Sequence, residues 1–142
     1  MMICFQDIFD TENKYAWMAE PFHGFSLDSR AVQSGQIFIA LTSYTQPEKT
    51  IQFAQSALQN GALAVISETD LGLESTLICP DVRHLMGQWQ KQYLQATDAV
   101  TPSRILAITG TNGKTTISRL VADLIMLQGK KCAVMGTTGN GI

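Results

Sequence analysis

The stretch R-I-L-A-I-T-G-T-N-G-K-T-T, residues 104–116, dictates local structure more tightly than any other part of this 142-residue chain. Its apolar run from Ile105 to Ile108 reads as a strand buried on both faces. The run leads into Gly110-Thr111-Asn112-Gly113, and beyond that loop Ile117, Leu120, Val121, Leu124 and Leu127 recur at helical spacing. Gly129 stops the helix, and K-C-A-V-M-G (131–136) is a second apolar strand. Strand, glycine loop, helix and strand make a βαβ unit, expected to be right-handed with its two strands parallel. Two strands cannot bury both faces of a parallel sheet, so 104–142 is expected to be the beginning of a larger domain.

The preceding residues alternate in a related way. Residues 3–9 can form a short helix, and F-S-L-D-S-R (25–30) and Q-I-F-I-A-L (36–41) read as strands separated by a Ser34-Gly35 turn. T-I-Q-F-A-Q-S-A-L-Q-N-G (50–61) fits a helix with Ile51, Ala54 and Leu58 on one face and Gly61 as its stop. A-L-A-V-I (62–66) has the continuous apolar character of a doubly buried strand, and S-T-L-I-C-P (75–80) is a further strand ended by Pro80. Asp81 can cap a helix carrying Val82, Leu85, Met86, Trp89 and Tyr93 on one side. The expected organisation is therefore α/β: a small domain over 1–98, a polar linker at 99–103 containing Pro102, and the first βαβ unit of a parallel-sheet domain over 104–142. Without further strands and helices, the strands at 105–109 and 132–135 would expose apolar faces, so this segment is expected to be mobile, self-associated or covered by another chain.

Composition narrows the function classes. The chain is 45% apolar and 15% charged, with a net charge of −2 and no Lys/Arg run, which argues against a nucleic-acid or anionic-membrane surface. Cys4, Cys79 and Cys132 are odd in number and far apart, so neither a disulfide framework nor a zinc site is readable. The start M-M-I-C-F-Q-D-I-F-D lacks a basic leader, and no window approaches a membrane span. A soluble, cytoplasmic protein with no nucleic-acid or membrane partner is expected. His23 and His84 have no partners in a recognisable catalytic arrangement.

The glycine loop carries the most specific chemistry. The usual phosphate loop is G-x-x-x-x-G-K-[ST], yet the first glycine position here is Ile108, leaving a shorter form from Gly110 to Thr116. Glycines let the backbone approach an anion, and the helix that follows directs its free N–H groups and dipole at phosphate. Lys114 can reach the β/γ-phosphates of ATP, and the Thr115 hydroxyl can ligate Mg2+. Gly110, Thr111, Asn112, Gly113 and Thr116 complete the nucleotide-binding set. The bland alternative is a glycine-rich turn that only joins strand to helix; the strand before it and the amphipathic helix after it favour the nucleotide. No Walker B strand or base-recognition motif follows to suggest a kinase or GTPase.

T-G-T-N-G-K-T-T together with A-V-M-G-T-T-G-N-G (133–141) resembles the Mur ligases, the ATP-dependent amide ligases of peptidoglycan synthesis. L-D-S-R-A-V-Q-S-G-Q-I-F-I-A-L (27–41) and F-A-Q-S-A-L-Q-N-G-A-L-A-V-I (53–66) are similar to that family's substrate-nucleotide domain, in the same order. The resemblance implies that 1–98 binds the UDP end of the substrate and that 104–142 opens the ATP-binding domain. It implies phosphoryl transfer from ATP to a substrate carboxylate, followed by amine attack on the acyl phosphate, with Lys114 and Thr115 as catalytic residues. The substrates implied are a UDP-MurNAc-dipeptide and an amino acid. The V-M-G-T-T-G-N-G segment is most similar to members that add the third peptide residue, often meso-diaminopimelate; members that act next share the loop. The resemblance also implies a chain inactive as a ligase by itself, a substrate-binding fragment being the alternative. Leu27 and Ser29 fall where the family contacts uridine, although Asp28-Ser29-Arg30 also reads as a plain polar cluster with Arg30 paired to Asp28. Where the family continues G-H-x-x-D-G, this chain has Ser43-Tyr44-Thr45-Gln46-Pro47. That leaves open whether Tyr44, Thr45 and Gln46 hold the diphosphate or whether the segment no longer serves it.

Overall fold

The computed structural model describes residues 3–9, 15–99, 104–136 and 139–141. Its contacts divide the chain into two compact units, Met1–Thr101 and Pro102–Ile142. The Pro102 linker centre lies outside the described residues.

The first unit is built on a sheet of four parallel strands in the order β1 (Phe25–Ser26), β2 (Ile37–Ala40), β3 (Ala64–Ser67) and β4 (Thr76–Ile78). Every residue of β2 and β3 is buried, as expected for strands covered on both faces. Side chains alternate strictly between the two faces. Ile37, Ile39, Ala64 and Ile66 pack with Val82 and Trp89 of α3 (Val82–Ala96) and with Phe5, Phe9, Trp17 and Phe22 from the N-terminal segment. Phe38, Ala40 and Val65 pack on the opposite face with Ala54 and Ala57 of α2 (Pro47–Gln59).

The strand expected over 25–30 is confined to Phe25–Ser26, because Asp28 turns the chain: its carbonyl accepts from the Ala31 N–H at 3.1 Å. α2 begins three residues earlier than its apolar period indicated, at Pro47, whose missing N–H costs nothing at the first helical position. The face it buries is Thr50, Ala54 and Ala57, with Leu58 partly buried, whereas Ile51 is 37% exposed. Gly61 ends α2 as expected. It lies at φ 97°, and the Ala62 N–H reaches back to the Ala57 carbonyl at 2.9 Å, a Schellman closure. A Cβ there would stand 3.3 Å from the Ser34 backbone, so both conformation and space favour glycine.

The N-terminal segment contributes more core than its sequence announced. A short helix α1 (Phe5–Ile8) and a 3-10 turn at Ala16–Ala19 bring Phe5, Trp17 and Met18 under the sheet. Phe5 meets Phe9, Trp17, Phe22 and Trp89 at ring-centroid distances of 4.5 to 6.2 Å, with tilted or edge-on geometry.

In the second unit, α4 (Lys114–Leu127) forms as expected, and Gly129 at φ 73° closes it. Two expectations change in detail. Residues 104–109 form no ladder, and β5 (Val134–Gly136) pairs antiparallel with β6 (Gly139–Gly141) and not in parallel with the 104–109 segment. Pairing Val134–Gly136 with Gly139–Gly141 joins near neighbours in sequence, while parallel pairing must bridge all of α4, so the entropy cost favours the antiparallel pair. The apolar face of α4 is open: Ile117, Leu120, Leu124 and Leu127 are exposed, as are Ile105, Leu106 and Met135. No helix among the described residues is long and apolar enough to cross a membrane.

Ile66, fully buried on the aromatic face, and the exposed Ile51 make a direct contrast. Ile66→Ala is expected to cost about 2–5 kcal/mol in urea denaturation, and Ile51→Ala less than about 1 kcal/mol. Equal losses would contradict the burial assigned to β3 and α2.

Candidate functional site

Each unit carries a candidate site of its own. In the first, β2 and the chain following β1 border a cleft of about 250 Å³. Leu27 follows β1, Phe38 to Leu41 come from β2 and its end, and Thr50 and Phe53 come from α2. Open parallel sheets bind ligands at the carboxyl ends of their strands, because loops diverge there and the following helices present their N-termini. The lining is mostly apolar, and Leu27 and Phe53 stand 59% and 49% exposed.

The expected uridine contacts separate in space. Leu27 lines the cleft, but Ser29 is buried away from that lining, and its carbonyl accepts from Asn60 Nδ2 at 2.9 Å. Between them Asp28 and Arg30 form an exposed bidentate pair, Nε to Oδ1 at 3.0 Å and Nη2 to Oδ2 at 2.9 Å. The Arg30 hydrogen bonds hold the Asp28 carboxyl below its ordinary range. The polar-cluster alternative for Asp28 and Arg30 is thus the geometry observed.

Beside the cleft, the segment after β2 is held by side chains distant in sequence. Glu68 Oε2 accepts from the Thr42 N–H at 2.7 Å, and Arg83 Nη2 donates to the Thr42 carbonyl at 3.0 Å. Arg83 Nε donates to Glu68 Oε1 at 2.6 Å and Nη2 to Oε2 at 3.2 Å. The Ser43 N–H donates to Thr50 Oγ1 at 3.2 Å, and the Gln46 N–H to Ser43 Oγ at 3.2 Å. Tyr44 stands 85% exposed with the Arg83 guanidinium 5.5 Å from its ring centre; Thr45 and Gln46 are exposed. Hydrogen bonding from Arg83 holds the Glu68 carboxyl below the usual carboxylate range, outweighing the upward push of its partial burial. Sequence reasoning missed Glu68, Arg83, Thr50 and Phe53. Glu68 and Arg83 meet only through the packing of β3 and α3 against β2, so no local signal could have found them. His23 and His84 are exposed.

In the second unit the segment Gly110–Thr116 leads the chain into α4. Gly110 lies at φ 149° and Gly113 at φ 77°, the left-handed region, where Gly113 serves as the N-cap of α4. The first N–H groups of α4 have no intrahelical acceptor. A Cβ at Gly110 or Gly113 would come no nearer than 3.7 Å to the nearest neighbouring atom, so backbone conformation and not space favours glycine there. Lys114 folds back over the loop, donating through Nζ to the Gly110 carbonyl and to the Thr111 carbonyl, the latter at 3.3 Å. Thr111, Asn112, Thr115 and Thr116 are exposed around it. Among the described residues no group of three His, Cys, Asp or Glu could hold a metal.

The pH response of Glu68 follows from its lowered native value: the stability it confers is complete above the unfolded carboxylate value and is lost as pH falls through the native one. Glu68→Gln is therefore expected to melt below wild type at pH 7, the gap closing on acidification below the usual carboxylate range. A gap independent of pH would contradict the ion pair.

No protein-family model matches the chain. It is 39% identical over 128 residues to the UDP-N-acetylmuramoyl-L-alanyl-D-glutamate–2,6-diaminopimelate ligase of Haemophilus influenzae, a match covering 84% of this chain and 26% of the relative. The enzyme of that name from Vibrio parahaemolyticus is also 39% identical over 128 residues, and that from Halalkalibacterium halodurans 37% over 117. A solved structure described as such a ligase superposes with a TM-score of 0.78 at 65% identity, covering 100% of this chain and 29% of its own. The chain thus spans about a quarter of the length of the curated relatives it matches.

Proposed function

From this kinship with the Mur ligases, we propose that the chain is the nucleotide-binding portion of a cytoplasmic, ATP-dependent ligase of peptidoglycan synthesis. It adds an amino acid, meso-diaminopimelate, to UDP-N-acetylmuramoyl-L-alanyl-D-glutamate. The observation that best supports this is the presence, in one chain, of an apolar cleft at a parallel-sheet edge and a lysine-bearing glycine loop at a helix N-terminus. The cleft takes the uridine end of the substrate, Leu27 and Phe53 covering the base. The 110–113 backbone and the start of α4 would take ATP phosphates, Lys114 would leave the loop carbonyls to neutralise the transferring phosphoryl group, and Thr115 would hold Mg2+. Activation of the substrate carboxylate as an acyl phosphate then lets the amine displace phosphate. What these residues supply is positioning and charge stabilisation.

A second reading, a nucleotide-sugar-binding module without an ATP role, is favoured by the Lys114 side chain lying on the loop's own carbonyls. Calorimetry separates the two. Binding of both UDP-MurNAc-dipeptide and Mg-ATP supports the ligase portion; binding of the nucleotide sugar alone supports the module; binding of neither refutes both. Leu27→Ala is expected to weaken the nucleotide sugar roughly tenfold. Lys114→Ala is expected to weaken Mg-ATP roughly 10- to 100-fold and leave nucleotide-sugar affinity unchanged.

A further inference from the structure

We propose that Glu68 and Arg83 are positioning residues for the cleft: together they fix the Thr42–Ser43 backbone and thereby set Leu41 and Thr50 against a bound nucleotide sugar. This rests on the substrate reading above and adds two residues to it.

Leu41 and Thr50 both line the cleft, and the chain between them has little apolar anchoring, with Tyr44, Thr45 and Gln46 exposed. Polar contacts hold it instead. Both backbone groups of Thr42 are committed, the N–H to Glu68 and the carbonyl to Arg83, and the Ser43 N–H reaches Thr50 Oγ1. Glu68 follows the last residue of β3 and Arg83 lies in the first turn of α3, so the segment is referenced to two rigid elements.

The Glu68 side chain is only 13% exposed, and its two oxygens are shared between the planar fork of Arg83 and the Thr42 N–H. The fork geometry matters: a guanidinium grips both carboxylate oxygens while still reaching the Thr42 carbonyl, which a lysine ammonium at one point cannot do. Removing Arg83 leaves a mostly buried carboxylate without its cation, and the cheapest relief is for the carboxylate to swing toward water and release the Thr42 N–H. The loss then passes along the backbone to Ser43 and Thr50. The hydrophobic cores on either side of the sheet include neither residue, so the fold survives while the cleft wall loosens.

The test uses the chain as it is, isotopically labelled, with Arg83→Ala, Arg83→Lys, Glu68→Gln and the Arg83→Ala/Glu68→Gln pair. Calorimetry with UDP-MurNAc-dipeptide is read beside the amide resonances of Thr42, Ser43 and Thr50. Each of the alanine and glutamine changes is expected to weaken binding roughly tenfold, and the double change hardly more than either, since the two act as one network. Arg83→Lys should fall between wild type and Arg83→Ala. The three amides should move in the free variants while those of Ile66 and Trp89 stay in place. Additive losses, unmoved Thr42 and Ser43 amides, or undiminished affinity in Arg83→Ala would overturn the inference. A wild-type chain that fails to bind the nucleotide sugar would overturn the substrate reading and this inference with it.

Discussion

The first unit depends on β2 and β3 being buried on both faces. Ile37, Ile39, Ala64 and Ile66 face one layer and Phe38, Ala40 and Val65 the other, so two helical layers are needed to keep these strands dry. The requirement dictates α2 on one side and α3 with the N-terminal aromatic segment on the other. It also dictates parallel pairing, since α2 returns the chain to the same end of the sheet before β3 begins. The carboxyl ends of the strands are then gathered at one edge, where Leu27, Leu41 and Thr50 meet around the cleft.

That edge is polar where the core is not. Backbone leaving a buried strand must satisfy its N–H and carbonyl groups, and at Thr42 no neighbouring strand does so. Glu68 and Arg83 fill the role, joining the ends of β2 and β3 to the start of α3. One arrangement therefore answers a local need of the fold and shapes the wall of the site. The Asp28–Arg30 pair is a contrast: both side chains are largely exposed, so their attraction is screened by solvent and salt.

The second unit is organised differently. Its helix and glycine loop are locally complete, with Gly113 in the left-handed conformation that starts α4 and Gly129 in the one that ends it. Its apolar surface is not covered, and the face of α4 that repeats at helical spacing stands open. Loop chemistry and helix formation need only near neighbours, whereas sheet formation needs partners brought from elsewhere.

The sequence by itself determined several elements whose cause is local, although not the β5–β6 hairpin. Apolar runs marked β2 and β3, helical spacing marked α3 and α4, glycines at 61 and 129 marked helix ends, and the Gly110–Gly113 stretch marked the loop that leads into α4. The chain's likeness to the ligases was legible through motifs at both ends of its length. Only the tertiary structure decided the rest. It set Ser29 apart from Leu27, drew Phe5 and Trp17 into the core, left 104–109 without a ladder, and joined Glu68 to Arg83 and Thr42. Each of these depends on which distant groups meet. A side chain's partner across a fold is fixed by packing and loop entropy and not by its neighbours in sequence.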